Sequence, residues 1–194
     1  MTDEKWTIAI HALIDSMQAS NGMRNDDYKQ YRAYCTRRLY RVRHNEAVKK
    51  ELVHSATYVA GEKMRKNAYC PRALPVDVGH ENILLSVLVE AERAWAHGNE
   101  LKSIMVSPQL PTNSSTQAPP SRIRHQALRR FRKATKFATR LEELCAKHCD
   151  ERTKEEAQAY ASWMKGTLAL EANDWSVSGW YDRFCLSFLI LIPT

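Results

Sequence analysis

The chain has 194 residues, 44% of them hydrophobic, which is enough for one domain with a substantial core. Its formal charge of +7 favours a negatively charged partner over a positively charged one. Only six glycines occur, and they form neither a GxGxxG nor a P-loop pattern. This argues against a nucleotide-binding fold with a glycine-rich phosphate loop.

Helical spacing of apolar residues predicts the first two elements. The stripe of the first helix consists of Trp6, Ile10, Leu13, Ile14 and Met17. The stretch SNGMRNDD, residues 20–27, ends this helix. A second helix begins near Asp27, with Asn25 or Asp26 predicted as its cap, and CPRALP at residues 70–75 is a break.

Three further helices follow this break. The third spans about 79–105, and its small residues Ala91, Ala94 and Gly98 permit close approach of another helix. Residues 107–121 are rich in Pro, Ser, Thr and Gln, which predicts a disordered loop. The fourth helix spans about 122–148 and the fifth about 151–171. The fold class is therefore predicted as all-α, built of antiparallel helices.

Basic charge is concentrated in two blocks. Residues 24–66 contain twelve Lys and Arg against five Asp and Glu, and residues 122–147 contain nine against two. Each block has a net charge of +7, so the rest of the chain carries −7. Such segregation indicates a polyanionic partner, although solvated basic helices that only confer solubility are an alternative.

The first block contains the stretch YKQYRAYCTRRLYRVRHN, residues 28–45, which has six cations and no acid. On a helical wheel its core-facing stripe is narrow, whereas an interfacial membrane helix needs a broad apolar face. Arginine forks onto phosphate and stacks on bases, so nucleic acid is the favoured partner. Tyr34 and Tyr40 lie outside the stripe and either stack on unpaired bases or cover neighbouring helices. The buried stripe is Tyr28, Tyr31, Cys35, Leu39 and Val42. The candidate nucleic-acid-binding residues are Lys29, Arg32, Tyr34, Arg37, Arg38, Tyr40, Arg41, Arg43 and His44.

The second block repeats this design on the fourth predicted helix. Two basic helices in one bundle can bind a nucleic acid across a groove or a junction, but the pattern does not specify which polyanion is bound. Its candidate nucleic-acid-binding residues are Arg122, Arg129, Arg130, Arg132, Lys133 and Lys136.

The sequence predicts no catalytic residues, no metal site and no cofactor. Cys145, His148 and Cys149 lack the further ligand pair that a zinc site requires, and five widely spaced cysteines fit reduced thiols. Glu90 and Glu92 are predicted to lie on an ordinary solvated face. The start of the chain is not a signal peptide and the apolar run at 184–192 is too short to span a membrane, so we expect a soluble intracellular protein.

Four segments together resemble the RNA-binding domain of the 68-kilodalton subunit of the eukaryotic signal recognition particle. They are RNDDYKQYRAYCTRRLYRVRH, LLSVLVEAERAWAHGNELK, LRRFRKATKFATRLEELC and TKEEAQAYASWMKGTLALEANDW, and the similarity spans about 21–175. The combination of EAERAW with YCTRRLYRVR is the specific part. The resemblance implies a tetratricopeptide-like bundle of helical hairpins over residues 1–175.

The resemblance also implies a function and partners. The domain would bind the particle's RNA near its three-way junction, where Arg37, Arg38, Arg41 and Arg43 enter a widened major groove and remodel a nearby loop. Other particle subunits would be partners, with the 72-kilodalton subunit binding a region absent from this chain. The protein would act in co-translational targeting to the endoplasmic reticulum, in the cytoplasm, with nuclear or nucleolar assembly.

The tail at 176–194 departs from the family pattern. Ser178 fits the small position of a second repeat helix, but Asp182 stands where an aromatic residue is expected. The tail is therefore either a substitute last helix or an alternative end of the chain. Two rival functions remain open, a helical-repeat adaptor for an acidic protein and an enzyme with an unrecognised site.

Overall fold

The computed structural model describes residues 5–45, 78–106 and 120–173. The helices are α1 (Ile10–Ser20), α2 (Tyr28–Arg43), α3 (Glu81–Val106), α4 (Pro120–His148) and α5 (Glu151–Ala172), with a 3₁₀ turn at Met23–Asn25. The extended pairing found in these ranges is one isolated parallel bridge between Trp6 and Cys149. The all-α prediction is thus confirmed. In the same ranges, no helix is both long enough and apolar enough to cross a bilayer.

Consecutive helices from α2 to α5 pack as antiparallel neighbours. Arg32 near the start of α2 pairs with Glu100, and Arg43 at its end pairs with Glu90, so α2 and α3 run in opposite directions. Two residues join α4 to α5, and so short a connection also makes antiparallel neighbours. This is the predicted order of helical hairpins.

Alternate helices in this stack run parallel. Each contacting residue on α5 lies 68 or 69 positions after its partner on α3. Because this offset is nearly constant, the contacts progress in the same direction along both helices. The three pairs are Glu92–Tyr160, Trp95–Trp163 and Lys102–Glu171. This parallel relation is expected for stacked hairpins of the tetratricopeptide type.

The helix boundaries differ from the predicted ones at several places. Trp6 precedes α1, which begins only at Ile10, because the backbone of Trp6 pairs with His148 and Asp150 instead. Asp27 caps α2 by accepting a bond from Gln30 N at 2.8 Å, so neither Asn25 nor Asp26 is the cap.

Helix α4 begins at Pro120, two residues inside the predicted loop. Proline is well tolerated at the first helical position, because the backbone N–H that it lacks would have no partner within the helix there. The rest of that loop, the break at 70–75 and the tail at 176–194 lie outside the described residues. The bounds of α3 and α5 agree with the predicted spans to within about two residues at each end, which is the usual uncertainty of helix ends.

One of the small residues predicted to permit close approach of another helix, Gly98, lies at the contact between α3 and α4. Ala91 and Ala94 are buried, and a Cβ added at Gly98 would lie 2.7 Å from two ring carbons of Phe131. Phe131 is itself buried in the core, so its ring has little room to move. Gly98 therefore sets how closely the two helices approach.

The prediction of a solvated face for Glu90 and Glu92 is wrong, because both side chains are buried. Glu92 is fully buried and accepts hydrogen bonds from Tyr31 Oη and Tyr160 Oη, both at 2.7 Å, and from Gln18 Nε2 at 3.0 Å. These donors come from α1, α2 and α5, so one carboxyl group joins four helices. Burial raises the pKa of Glu92, and the three hydrogen bonds act in the opposite direction.

Candidate nucleic-acid interface

The outer face of α2 presents a row of cations to solvent. The helical wheel is confirmed at the centre of its stripe, since Tyr31, Cys35 and Leu39 are buried, whereas Tyr28 and Val42 at its ends are only partly buried. On the opposite side Arg37 and Arg41 are exposed. These two arginines lie four residues apart, on successive turns of one face. The exposed members of the predicted set on α2 are Lys29, Arg37, Tyr40, Arg41 and His44.

The two candidate tyrosines have different surroundings. Tyr34 is partly buried, stacks on Tyr31 with ring centroids 6.3 Å apart, and its hydroxyl accepts a 2.7 Å bond from Arg38 Nη1. Tyr40 is 64% exposed, and its ring lies 3.8 Å from the ring of His44. Tyr34 therefore packs internally, whereas Tyr40 and His44 form an exposed aromatic platform.

Two of the predicted RNA-binding arginines pair with carboxylates of α3. Arg32 contacts Glu100 with 2.5 Å between Nε and Oε2, and Arg43 contacts Glu90 with 3.2 Å between Nη2 and Oε1. These ion pairs hold the basic helix α2 against α3, because each carboxylate offsets the repulsion among neighbouring cations. Arg32 and Arg43 therefore position α2.

Helix α4 supplies the second basic row, and most of its predicted residues are exposed. Lys133 is the exception, since its Nζ lies 4.0 Å from Oε1 of Glu90 and 5.4 Å from the centroid of the Phe137 ring. The exposed candidates are Arg122, Arg129, Arg130, Arg132 and Lys136.

A cleft of about 270 Å³ lies between the two basic helices, with α3 as its floor. Sequence reasoning missed its α3 residues, Arg93 and His97, because they lie in a helix whose pattern is mostly apolar. A possible signal was the four-residue spacing of these two basic residues on one face. The full lining is Arg32, Thr36, Arg93, Ala94, His97, Arg130 and Lys133.

Burial and the neighbouring charges shift the pKa values of two titratable groups in this cleft. The pKa of His97 is lowered, first by burial and then by Arg130 and Arg32, while Glu100 acts in the opposite direction. The pKa of Lys133 is also lowered, again first by burial, although Glu90 opposes that shift. The cleft is therefore electropositive, and an anion placed in it would be stabilised.

The thiols near the end of α4 do not assemble a metal site with their neighbours. Cys145 and Cys149 are both buried, and a hydrogen bond between them raises the pKa of Cys145 and lowers that of Cys149. Within residues 5–45, 78–106 and 120–173, no group of three or more His, Cys, Asp or Glu side chains is placed to hold a metal ion.

Residues 23–179 match the family described as RNA-binding signal recognition particle 68, or SRP68. The chain is 32% identical over 177 residues to the signal recognition particle subunit SRP68 of Drosophila melanogaster, and 32% identical over 174 residues to that of Dictyostelium discoideum. These alignments cover 90% and 88% of the chain but 26% and 25% of the relatives, so the chain spans about a quarter of their length. Its fold is similar to the SRP68-RBD from Chaetomium thermophilum, with a TM-score of 0.64 and 19% identity, over 92% of this chain and 76% of that one.

Proposed function

This chain belongs to the SRP68 RNA-binding family, and we propose on that premise that it binds signal recognition particle RNA near the three-way junction. The observation that supports this most directly is the pairing of two exposed basic rows, on α2 and α4, with the exposed ring of Tyr40 between cations. Phosphates account for most of the affinity of such a surface, and an exposed ring adds contact to an unpaired base.

The geometry of α2 suits a widened groove. A regular A-form major groove is too deep and narrow for side chains to read, so a helix can enter it only beside a bulge, loop or junction. Arg37 and Arg41 occupy successive turns at the solvent-exposed face, and their guanidinium groups can fork onto phosphate or a guanine edge. Insertion of this helix would displace and remodel an adjacent RNA loop.

The proposed role in the cell follows from membership of the family. The chain would act as a binding subunit, without catalytic activity, in co-translational targeting to the endoplasmic reticulum. It would work in the cytoplasm after assembly in the nucleus or nucleolus, beside other particle subunits. The 72-kilodalton subunit would bind a part of the longer relatives that this chain does not cover. The RNA-binding domain would comprise residues 1–175, with 176–194 as a separate tail.

The test compares a junction RNA with a plain duplex of equal length at two salt concentrations. We expect preference for the junction, with a log–log salt slope of about −0.7 to −0.9 per phosphate neutralised. Replacing Arg37 and Arg41 with Lys should preserve much of the duplex affinity but remove most of the junction preference, since Lys keeps the charge and loses the fork. Arg152→Lys, on the exposed surface of α5, is the matched control.

Two outcomes would contradict the proposal. If the Lys variant still prefers the junction and exposes the RNA loop equally to chemical probing, the arginines act only as charge. If the parent protein binds an acidic peptide while RNA competes poorly for it, the chain is a protein adaptor.

A further inference from the structure

We propose that the cleft between α2, α3 and α4 binds a single backbone phosphate of the RNA, and that His97 takes up a proton when the phosphate enters. This inference rests on the proposed RNA-binding function. It assigns a ligand to Arg93 and His97 of α3, which lie outside the two basic stretches on α2 and α4.

The charges around the cleft are not balanced by the protein itself. Four Arg and Lys side chains line it, contributed by all three helices. Two carboxylates contact this set, since Glu100 pairs with Arg32 and Glu90 contacts Arg93 at 2.7 Å and Lys133 at 4.0 Å. Among the described residues at the cleft, the four lining cations therefore exceed the two carboxylates by two, and Glu90 is shared with Arg43 as well. This excess lies in a partly buried space, where Coulomb interactions are stronger than in water.

The chemistry of the lining favours phosphate over a base. The lining contains guanidinium, ammonium, imidazole and hydroxyl groups but no Phe, Tyr or Trp ring on which a base could stack. Guanidinium groups from Arg93 and Arg130, on different helices, suit the several oxygens of one phosphate. The cleft volume of about 270 Å³ leaves room for such a group.

His97 makes the site sensitive to protons. It is partly buried among the groups that set its charge, which are Arg32 on α2, Arg93 and Glu100 on α3, and Arg130 on α4. Burial and the three arginines lower its pKa, so the empty cleft disfavours the imidazolium form. A phosphate in the cleft adds negative charge beside the ring and offsets the arginines, which raises the pKa of His97.

The sign of the linkage follows from this difference. The RNA-bound protein binds more protons than the free protein between the free and the bound pKa of His97, so RNA affinity increases as the pH falls through that window. We expect binding about three- to tenfold tighter at pH 6 than at pH 8, at constant ionic strength, with uptake of at most one proton.

The first experiment measures the affinity for junction RNA at pH 6 and pH 8 in the parent and in His97→Gln. The parent should show the three- to tenfold difference, and His97→Gln should lose most of it. His125→Gln removes an exposed histidine of α4 outside the cleft lining and should keep the pH dependence of the parent. Salt-dependent RNA binding whose affinity does not change with pH would overturn this inference and leave the proposed function intact. If the parent binds no RNA, both fall together.

The second experiment follows the imidazole protons of His97 by NMR as the pH is changed, with and without RNA. RNA should raise the pKa of His97. Arg130→Gln, which replaces an exposed side chain, should raise the pKa of His97 in the free protein and reduce the pKa shift that RNA causes. A shift produced by inorganic phosphate but not by RNA would instead assign the cleft to a free anion, and no shift with either would show that the cleft binds no phosphate.

Discussion

Arg43 at the end of α2 is held by Glu90 of α3, with 3.2 Å between Nη2 and Oε1, and the arginine side chain is only 15% exposed. The same carboxylate contacts Arg93 on its own helix and Lys133 on α4. Glu90 therefore connects the three helices that form the basic surface. The arginines of α2 thus divide into those that anchor the helix and those that face solvent.

Arg43→Gln should lower the free energy of unfolding by about 1–2 kcal/mol, because it removes a mostly buried ion pair while Glu90 keeps its other partners. Arg41→Gln, at an exposed position of the same helix, should change it by less than about 0.5 kcal/mol. Urea unfolding followed by circular dichroism measures both. Junction binding should show the reverse order, with Arg41→Gln the more harmful. Equal destabilisation by the two variants would contradict the anchoring role.

Leu39→Asp should unfold the domain or reduce its stability by several kcal/mol, because Leu39 is 2% exposed and an unpaired carboxylate would enter the core. Ala33→Asp places the same carboxylate on the exposed side of α2 and should leave the fold intact. Thermal unfolding distinguishes the two. Similar damage at both positions would mean that the burial pattern of α2 is incorrect.

Tyr40→Leu should weaken junction RNA binding by about 1–3 kcal/mol while the unfolding curve stays unchanged, because the Tyr40 ring is 64% exposed beside His44 and would stack on a base. Tyr34→Leu is the comparison, since Tyr34 stacks on Tyr31 and its hydroxyl bonds to Arg38. That variant should mainly lose stability. Fluorescence anisotropy with labelled RNA, beside thermal unfolding, tests both. Unchanged RNA affinity in Tyr40→Leu would argue against base stacking.

The buried Glu92 should give the fold a pH dependence. Its folded-state pKa is raised by burial, so the folded protein binds more protons than the unfolded chain above the ordinary Glu value of about 4.3. Stability from this group is therefore lost as the pH rises through the raised pKa. Glu92→Gln cannot titrate, so its stability relative to the parent should improve as the pH rises through the same window.

Urea unfolding of both proteins at a series of pH values measures this difference. Glu92→Leu, which leaves the hydroxyl groups of Tyr31 and Tyr160 without their acceptor, should be the least stable of the three. A stability difference between parent and Glu92→Gln that stays constant with pH would show that Glu92 does not change its ionisation on folding.

Gly98→Ala should destabilise the domain by about 1–3 kcal/mol, because the new Cβ would lie 2.7 Å from the buried ring of Phe131. The usual gain in helix propensity, about 1 kcal/mol for Gly to Ala, is too small to offset the clash. A double-mutant cycle with Phe131→Leu checks the cause. The cost of Gly98→Ala should fall in the Phe131→Leu background, and an unchanged cost would place the strain elsewhere.

The sequence by itself determined where the helices lie and which side of α2 is buried. Tyr31, Cys35 and Leu39 recur at helical spacing, and this periodicity is a local property that needs no knowledge of neighbouring elements. The two basic blocks could also be recognised from the sequence, because local composition alone defines them. The sequence also indicated that another helix approaches α3 closely, because a small residue such as Gly98 leaves the required space, and the structure identifies that helix as α4.

Only the tertiary structure decided which polar side chains face solvent. Glu92 lies 61 residues from Tyr31 and 68 from Tyr160, so no local pattern shows that these hydroxyl groups offset part of the cost of burying its carboxyl group. In the same way Arg43 belongs to a cationic face on the helical wheel, but Glu90 on another helix draws it inward. The energy of a charged group depends on what surrounds it in space, and the folded chain brings those surroundings from distant parts of the sequence.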